Sequence, residues 1–122
     1  MAKVLIVDDS SLIRSMLEDI ARQKNLEIIE ATNVDEAIDF YINEQPSLVF
    51  MDIILQNDGR TGIDALKAIK EYDSDARVVI VTSIGGNEDV MQECIESGAI
   101  DYITKPFSRG KILETIEDYI TE

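Results

Sequence analysis

The sequence contains no histidine and only one cysteine among its 122 residues. Without an imidazole, the chain has no histidine-based metal site, no histidine general base and no serine or cysteine catalytic triad. Because Cys94 is the single thiol, no internal disulfide can form, which is typical of proteins that remain in the cytoplasm. We therefore expect a cytoplasmic protein.

Long hydrophobic stretches are also missing. No apolar run approaches the roughly 20 residues that a membrane helix needs, and the apolar segment at residues 4–7 is too short for a signal peptide. We therefore expect no membrane insertion. The length fits one compact domain over residues 1–122, which we expect to be monomeric, and the hydrophobic fraction of 45% is ordinary for a folded protein.

Positive charge is scarce. Eleven Lys and Arg residues stand against 25 Asp and Glu residues, so the formal net charge is −14. Such a surface repels nucleic acid and anionic lipid, because proteins bind both through Lys and Arg. The excess acidity serves solubility or the binding of a basic or metal-carrying partner, and composition leaves both interpretations open.

What the chain does contain is an alternation of short apolar runs with segments of helical periodicity. The apolar runs at residues 4–7, 48–51 and 78–81 predict strands. Residues 26–31, a weaker candidate, and residues 100–103 are only partly apolar and predict two further strands. The apolar residues that recur at helical spacing are Ile13, Met16, Leu17, Ile20 and Ala21; Val34, Ala37, Ile38 and Tyr41; Ile63, Leu66 and Ile69; Val90, Met91, Cys94 and Ile95; Ile112, Leu113, Ile116 and Ile120.

Five strands that alternate with five helices predict a doubly wound α/β fold, with a parallel sheet and helices on both faces. We expect the flavodoxin-like strand order 2-1-3-4-5. At the helix ends, Ser10 or Ser11 can cap the first helix, Asn33 with Glu36 resembles a capping box, and Gly98 is a natural helix terminator.

Polar residues follow the predicted strands at their carboxyl ends, where such folds bind ligands. Asp8 and Asp9 follow the first strand, Asp52 the third, Thr82 ends the fourth and Lys105 follows the fifth. Each residue alone is unremarkable, but their joint placement favours one shared site. Three crowded carboxylates need a cation, and a donor set of oxygens alone favours Mg²⁺. A lysine and a hydroxyl beside them can bind phosphate oxygens, so the site has the parts for phosphoryl transfer to a carboxylate.

These motifs resemble the signature of response-regulator receiver domains over essentially the whole chain. In order, the motifs are Val7-Asp8-Asp9-Ser10 with Arg14, Asp52 after an apolar strand, Val81-Thr82-Ser83, and Lys105-Pro106-Phe107. The opening Asp-Asp-Ser with a nearby arginine most resembles stand-alone chemotaxis regulators of the CheY type.

The resemblance implies roles for the acidic residues. Asp52 would be the phosphoacceptor, and its donor would be the phosphohistidine of a partner histidine kinase. Asp9, with help from Asp8 and Asp52, would hold Mg²⁺, and the backbone carbonyl of Ile54 would complete the metal site. The domain would be a switch that assists its own phosphorylation and dephosphorylation, not an enzyme.

The resemblance also implies a response to phosphorylation. Lys105 would pair with the phosphoryl group, Thr82 would bond one of its oxygens, and Pro106 would follow a cis peptide bond. Tyr102 occupies the aromatic switch position, where it would rotate inward, although a half-buried strand tyrosine is an equal interpretation. The face of the fourth helix, fifth strand and fifth helix would then change its affinity for a downstream target, such as a motor, an adaptor or a phosphotransfer protein.

The segment after the acceptor departs from the family pattern. It lacks the usual Met-Pro pair, and either Gly59 or Gly62 could match the family glycine. We favour Gly62, which implies a loop two residues longer, because its spacing to the apolar helix face is right. Ile54 and Ile84, two residues after the acceptor and the threonine, flank the path of an attacking water and predict a long-lived acyl phosphate. That both residues simply complete the packing is an equal interpretation.

Other interpretations fit less well or stay open. The chain lacks the Asp-x-Asp of haloacid-dehalogenase phosphatases, the Ser/Thr-Gly phosphate loop of flavodoxins and the Gly-rich loop of nucleotide-binding proteins. A binding module that no longer depends on phosphorylation remains an alternative. Among receivers, a chemotaxis regulator is our first choice, a phosphorelay intermediate the second, and a receiver from a longer protein is also possible.

Overall fold

The computed structural model of the chain describes residues 2–55, 59–84 and 87–120. In these residues five strands alternate with five helices, as predicted. The strands are β1 Lys3–Val7, β2 Glu27–Ala31, β3 Leu48–Met51, β4 Val78–Thr82 and β5 Asp101–Thr104. The helices are α1 Ser11–Arg22, α2 Val34–Glu44, α3 Gly62–Tyr72, α4 Glu88–Glu96 and α5 Arg109–Tyr119. The extra residues predicted after the acceptor aspartate include residues 56–58, which lie outside the described residues.

The sheet is parallel throughout, and its strand order β2-β1-β3-β4-β5 confirms the predicted flavodoxin-like topology. The register aligns the carboxyl ends of neighbouring strands. Val7 at the end of β1 pairs with Met51 at the end of β3, and Thr82 at the end of β4 pairs with Thr104 at the end of β5. The residues that follow these strands therefore emerge at one edge of the sheet.

The core has two layers because successive strand residues point to opposite faces. On β1, Leu5 and Val7 pack into one apolar cluster, which includes residues of α2, α3 and α4. Val4 and Ile6 pack into the other cluster, with residues of α1 and α5. A strand covered on both faces must be apolar at every position, which explains the unbroken apolar run that predicted it.

The helix ends follow the predictions with one exception. The Ser10 hydroxyl caps α1, and the Asn33 side chain accepts a hydrogen bond from the Glu36 amide at 2.8 Å. The Glu36 carboxylate, however, accepts from the amide and the hydroxyl of Thr32 at 2.8 and 2.9 Å, because this residue offers two donors side by side. The predicted capping box is therefore only half formed. Gly98, with a φ of 105°, follows α4 as expected.

Two of the predicted apolar helix faces are wider than the surfaces that the helices bury. Met16 on α1 and Ile95 on α4 are exposed, although both continue the helical spacing of buried neighbours. Among the helices of the described residues, none is both long enough and apolar enough to cross a membrane.

The basic side chains are all engaged within the molecule. Nine of the eleven form ion pairs with carboxylates: Lys3, Arg14, Arg22, Lys24, Arg60, Lys67, Lys105, Arg109 and Lys111. The other two, Lys70 and Arg77, donate to backbone carbonyl oxygens. The acidic excess therefore dominates what the surface offers to a partner.

Candidate functional site

Three aspartates meet at the carboxyl edge of the sheet. Asp8 follows β1 and Asp52 follows β3, which is its neighbour in the sheet. One carboxylate oxygen from each of Asp8, Asp9 and Asp52 lies within 4.8 Å of the other two. Asp8 and Asp52 are buried, whereas Asp9 is exposed. The structure thus brings together the acidic residues that the strand ends singled out.

Lys105 joins the two buried carboxylates. Its Nζ donates to Oδ2 of Asp8 at 2.7 Å and to Oδ2 of Asp52 at 3.0 Å, with a side chain only 15% exposed. The peptide bond between Lys105 and Pro106 is cis, as the resemblance implied. One ammonium against three carboxylates leaves a formal charge of −2 in this cluster. That excess and the all-oxygen donor set fit a divalent hard cation such as Mg²⁺.

The electrostatics of the pair follow from burial and mutual attraction. Burial raises the pKa of Asp52 above its ordinary value, and the hydrogen bond and charge of Lys105 oppose that rise only in part. Burial lowers the pKa of Lys105, but its hydrogen bonds to Asp8 and Asp52 and the negative charges of these residues together outweigh burial, so that this pKa is raised overall. Lys105 is therefore an ammonium at neutral pH, and the Asp52 anion is a costly species that a bound cation would stabilise.

Asp8 and Asp9 are adjacent in the chain but differ in how they are held. The Asp8 amide donates to the Ala31 carbonyl oxygen at 3.1 Å, and its own carbonyl oxygen accepts from Nη1 of Arg14 at 2.8 Å. Its Oδ1 accepts from the Ser10 amide at 2.9 Å, while its Oδ2 binds the lysine. The Asp9 carboxylate has no hydrogen-bond or ion-pair partner in the described parts of the chain. It is thus the carboxylate most available to a metal ion.

The chain returns to the acceptor at Gly62, the first residue of α3. A Cβ atom on Gly62 would lie 1.9 Å from the carbonyl oxygen of Asp52, which is a clash with backbone. The Gly62 amide also donates to the Ile53 carbonyl oxygen at 2.7 Å. At Gly59, by contrast, a Cβ would meet nothing within 4 Å. The close approach supports the interpretation that Gly62 is the family glycine.

Thr82 lies at the end of β4 with its side chain fully buried, at 0% exposure. Its hydroxyl oxygen makes no close hydrogen bond within the described ranges, but it lies near enough to Asp52 to oppose the rise in the pKa of that carboxyl. A buried hydroxyl without a close partner costs free energy, so this group is available to a new acceptor at the site.

Tyr102 on β5 is half-buried, and its hydroxyl donates to the carbonyl oxygen of Ile84 at 2.9 Å. Its ring packs beside the core cluster on the face of α2, α3 and α4. The hydroxyl thus contacts the segment that follows Thr82. This position fits both interpretations of Tyr102, the switch aromatic and the half-buried strand tyrosine.

Ile54 and Ile84 differ in exposure. Ile54 is 54% exposed, and its amide donates to Oδ1 of Asp52 at 3.3 Å. Ile84 packs partly buried against the core. The hydrogen bond from the Ile54 amide places this residue beside the acceptor. There its carbonyl oxygen would bind the metal ion and its side chain would exclude water, as predicted.

Sequence reasoning missed the contacts of Arg14. This residue entered only as part of a motif, whereas in the structure its guanidinium joins the Asp8 carbonyl to the Glu30 carboxylate. The one available signal was an arginine in the first turns of the helix that follows the two aspartates. That signal does not reveal which way a long side chain turns.

Comparisons with known proteins find relatives over nearly the whole chain. The family model of the response regulator receiver domain matches residues 4–117. Chemotaxis protein CheY of Halobacterium salinarum is 41% identical over 122 residues, which cover 99% of each chain. Sporulation initiation phosphotransferase F of Bacillus subtilis is 35% identical over 118 residues, with 97% of this chain and 93% of that protein covered.

A solved structure is also similar. The complex of CheX and CheY with BeF₃ and Mg²⁺ from Borrelia burgdorferi matches with a TM-score of 0.88 and 31% identity, covering 98% of this chain and 90% of that one. The chain therefore belongs to the response regulator receiver domain family. Within that family it is CheY-like, which connects it with two-component signalling and chemotaxis.

Proposed function

We propose that this chain is a phosphorylation-dependent switch in chemotaxis, in which Asp52 accepts a phosphoryl group from a histidine kinase with the help of Mg²⁺. The observation that carries the proposal is the cluster at one sheet edge, where the ammonium of Lys105 pairs with Asp8 and Asp52 while the nearby Asp9 carboxylate stays without a partner in the described residues. Such a site attracts a divalent cation and places a lysine donor beside the acceptor oxygen.

In the proposed reaction an oxygen of the Asp52 carboxylate attacks the phosphorus of the donor phosphohistidine. The new O–P bond forms as the P–N bond breaks, and the electron pair of that bond leaves with the imidazole of the donor. The Lys105 ammonium then exchanges its hydrogen bond to the Asp52 carboxylate for one to a phosphoryl oxygen. Bound Mg²⁺ would supply neutralisation of the phosphoryl oxygens, held by the three aspartates and the carbonyl of Ile54.

The response begins at Thr82. Phosphorylation adds about −1.5 to −2 charge and three acceptor oxygens at Asp52. The buried hydroxyl without a close partner then gains one by donating to a phosphoryl oxygen. Movement of Thr82 changes the segment that Tyr102 contacts through Ile84. The surface of α4, β5 and α5 thereby shifts between two states of different affinity for a downstream protein.

A phosphorelay role is the second candidate. The similarity to sporulation initiation phosphotransferase F favours it, because a phosphotransferase passes its phosphoryl group on. The two roles differ in the fate of the group. A relay protein transfers it to another histidine, whereas a chemotaxis switch retains it until hydrolysis.

The test is intact-protein mass spectrometry after incubation with acetyl phosphate, with Mg²⁺ or with EDTA. We expect one phosphoryl adduct that requires Mg²⁺ and is absent from Asp52→Ala. The control Asp39→Ala removes an exposed carboxylate from α2 and should carry the adduct as the wild type does. Adduct formation by Asp52→Ala would contradict the assignment. A folded wild-type protein that binds no Mg²⁺ and takes no adduct would favour a phosphorylation-independent binding module.

The apolar residues beside the acceptor predict a slow loss of the phosphoryl group. Ile54 and Ile84 cannot orient water by hydrogen bonds, so the substitutions Ile54→Asn and Ile84→Gln should each shorten its lifetime severalfold. The measurement is the decay of the phosphorylated mass after removal of acetyl phosphate. A rapid decay in the wild type that neither substitution accelerates would contradict the prediction.

A further inference from the structure

We propose that Arg14 is a positioning residue for the metal site, which holds the peptide group between Asp8 and Asp9 so that the Asp9 carboxylate faces Asp8 and Asp52. The proposal rests on the Mg²⁺ site of the proposed function and extends it to a residue outside the ligand set. It predicts that a positive charge close to the cation site strengthens metal binding.

The guanidinium of Arg14 connects three elements. Arg14 belongs to α1, and its Nη1 donates to the carbonyl oxygen of Asp8 at 2.8 Å. Its Nε donates to Oε1 of Glu30 on β2 at 2.9 Å, and its side chain is only 17% exposed. Because a guanidinium is planar and rigid, two bonds to two elements fix its position, and with it the carbonyl that it holds.

The carbonyl of Asp8 belongs to the peptide group that leads to Asp9. The Asp8 carboxylate is held separately, by the Ser10 amide and by Lys105. The Asp9 carboxylate lacks any such hydrogen bond in the described residues, so that its direction depends on the backbone before it. Rotation of this peptide group would carry the Asp9 carboxylate away from the other two.

Charge and position predict opposite results when Arg14 is removed. By charge alone, loss of a cation near three carboxylates should tighten the binding of Mg²⁺. By position, loss of the bond to Asp8 should weaken it, as does the loss of residues that orient metal ligands in other sites. The sign of the change in affinity therefore separates the two effects.

The experiment is an NMR titration of backbone amide shifts with Mg²⁺ on the full chain. Arg14→Met should weaken Mg²⁺ binding by about 10-fold. Arg14→Lys keeps the charge and can still donate a hydrogen bond, but it lacks the rigid planar guanidinium, so it should recover only part of that loss. The control Lys24→Met removes a cation just after the same helix that pairs with Glu117, and its affinity should equal that of the wild type.

A second pair of variants tests the same idea if Arg14→Met unfolds in EDTA. Glu30→Gln and Glu30→Ala both remove one negative charge, but only glutamine still accepts from Nε of Arg14. Weaker binding by Glu30→Ala than by Glu30→Gln supports positioning, and equal affinities contradict it.

The outcomes also separate this inference from the proposed function. If the wild type binds Mg²⁺ and Arg14→Met binds it equally or more tightly, the inference on Arg14 is wrong while the metal site stands. If the wild type shows no saturable shift at Asp8, Asp9 or Asp52, the proposed Mg²⁺ site itself is wrong, and the role of Arg14 with it.

Discussion

The helices α3 and α4 follow neighbouring strands, yet they are held very differently. Five residues of α3 are buried, and its first turn has a complete capping box between Thr61 and Asp64. Its far end is fixed by a hydrogen bond of 2.7 Å from the Tyr41 hydroxyl to Asp73. In α4 a single residue, Cys94, is buried, and Ile95 is 53% exposed.

The difference corresponds to the two halves of the proposed switch. The helix that begins against the acceptor carbonyl is tightly packed, which keeps the carboxylates in place. The helix that follows Thr82 contributes little apolar burial, so its displacement costs less free energy. The proposed switch thus combines a firmly packed helix, α3, beside the acceptor with a weakly packed helix, α4, after Thr82.

The largest expected effect on stability comes from adding a methyl group at Gly62, the first residue of α3. Gly62→Ala places a Cβ against the backbone of Asp52 and should lower the free energy of unfolding by about 3 kcal/mol. Gly110→Ala is the matched control, because its Cβ meets nothing within 4 Å and alanine favours a helix. Urea unfolding measures both. Equal stability of the two variants would contradict the close contact.

Hydrogen exchange compares the two helices directly. We expect the amides of α4 to exchange at least about 10-fold faster than those of α3 after correction for intrinsic rates, because fewer buried contacts resist its local opening. Equal protection of the two helices in a metal-free sample would show that burial does not set their stability.

A substitution at the carboxyl end of α3 should have a smaller effect on the free energy of unfolding, and that effect should depend on pH. Tyr41→Phe removes the hydrogen bond to Asp73 and should cost about 1 kcal/mol at pH 7. That bond, with a backbone amide, holds the pKa of Asp73 below its ordinary value. Its stabilising effect is therefore complete above the unfolded pKa and is lost as the pH falls through the folded pKa. In urea titrations the difference between Tyr41→Phe and the wild type should shrink below about pH 4; a difference independent of pH would contradict this account.

The smallest expected effect distinguishes two buried threonines. The Thr82 hydroxyl makes no close hydrogen bond in the described residues, whereas the Thr115 hydroxyl donates to the Lys111 carbonyl at 2.7 Å. In EDTA, Thr82→Val should raise the free energy of unfolding by up to about 0.5 kcal/mol, and Thr115→Val should lower it by about as much. Equal losses in thermal or urea unfolding would mean that Thr82 is satisfied before phosphorylation.

The fold was predictable because its signals are local and redundant. The runs at residues 4–7, 48–51 and 78–81 are apolar at every position, as β1, β3 and β4 require when both faces of the sheet are covered. The convergence of Asp8, Asp52 and Lys105 followed from topology, since parallel strands end at one edge.

The finer contacts were not predictable, because they depend on the direction of individual side chains. Long side chains such as Arg14 and Glu36 reach several acceptors or donors from one backbone position, and the sequence pattern does not choose among them. The bond from Tyr102 to Ile84 depends equally on the path of the chain after β4. The exposure of Met16 and Ile95 shows that helical spacing locates a face but not its width.

The internal engagement of all eleven basic side chains has a kinetic consequence. With its cations already bound to carboxylates and carbonyls, the molecule presents an approaching protein with a largely uncompensated negative field. That field extends over a Debye length of about 8 Å at physiological ionic strength. It accelerates diffusional encounter with a basic surface and slows encounter with an acidic one, and added salt diminishes both effects. Ionic strength should thus govern how fast a partner arrives, while the state of the sheet edge governs how long it stays.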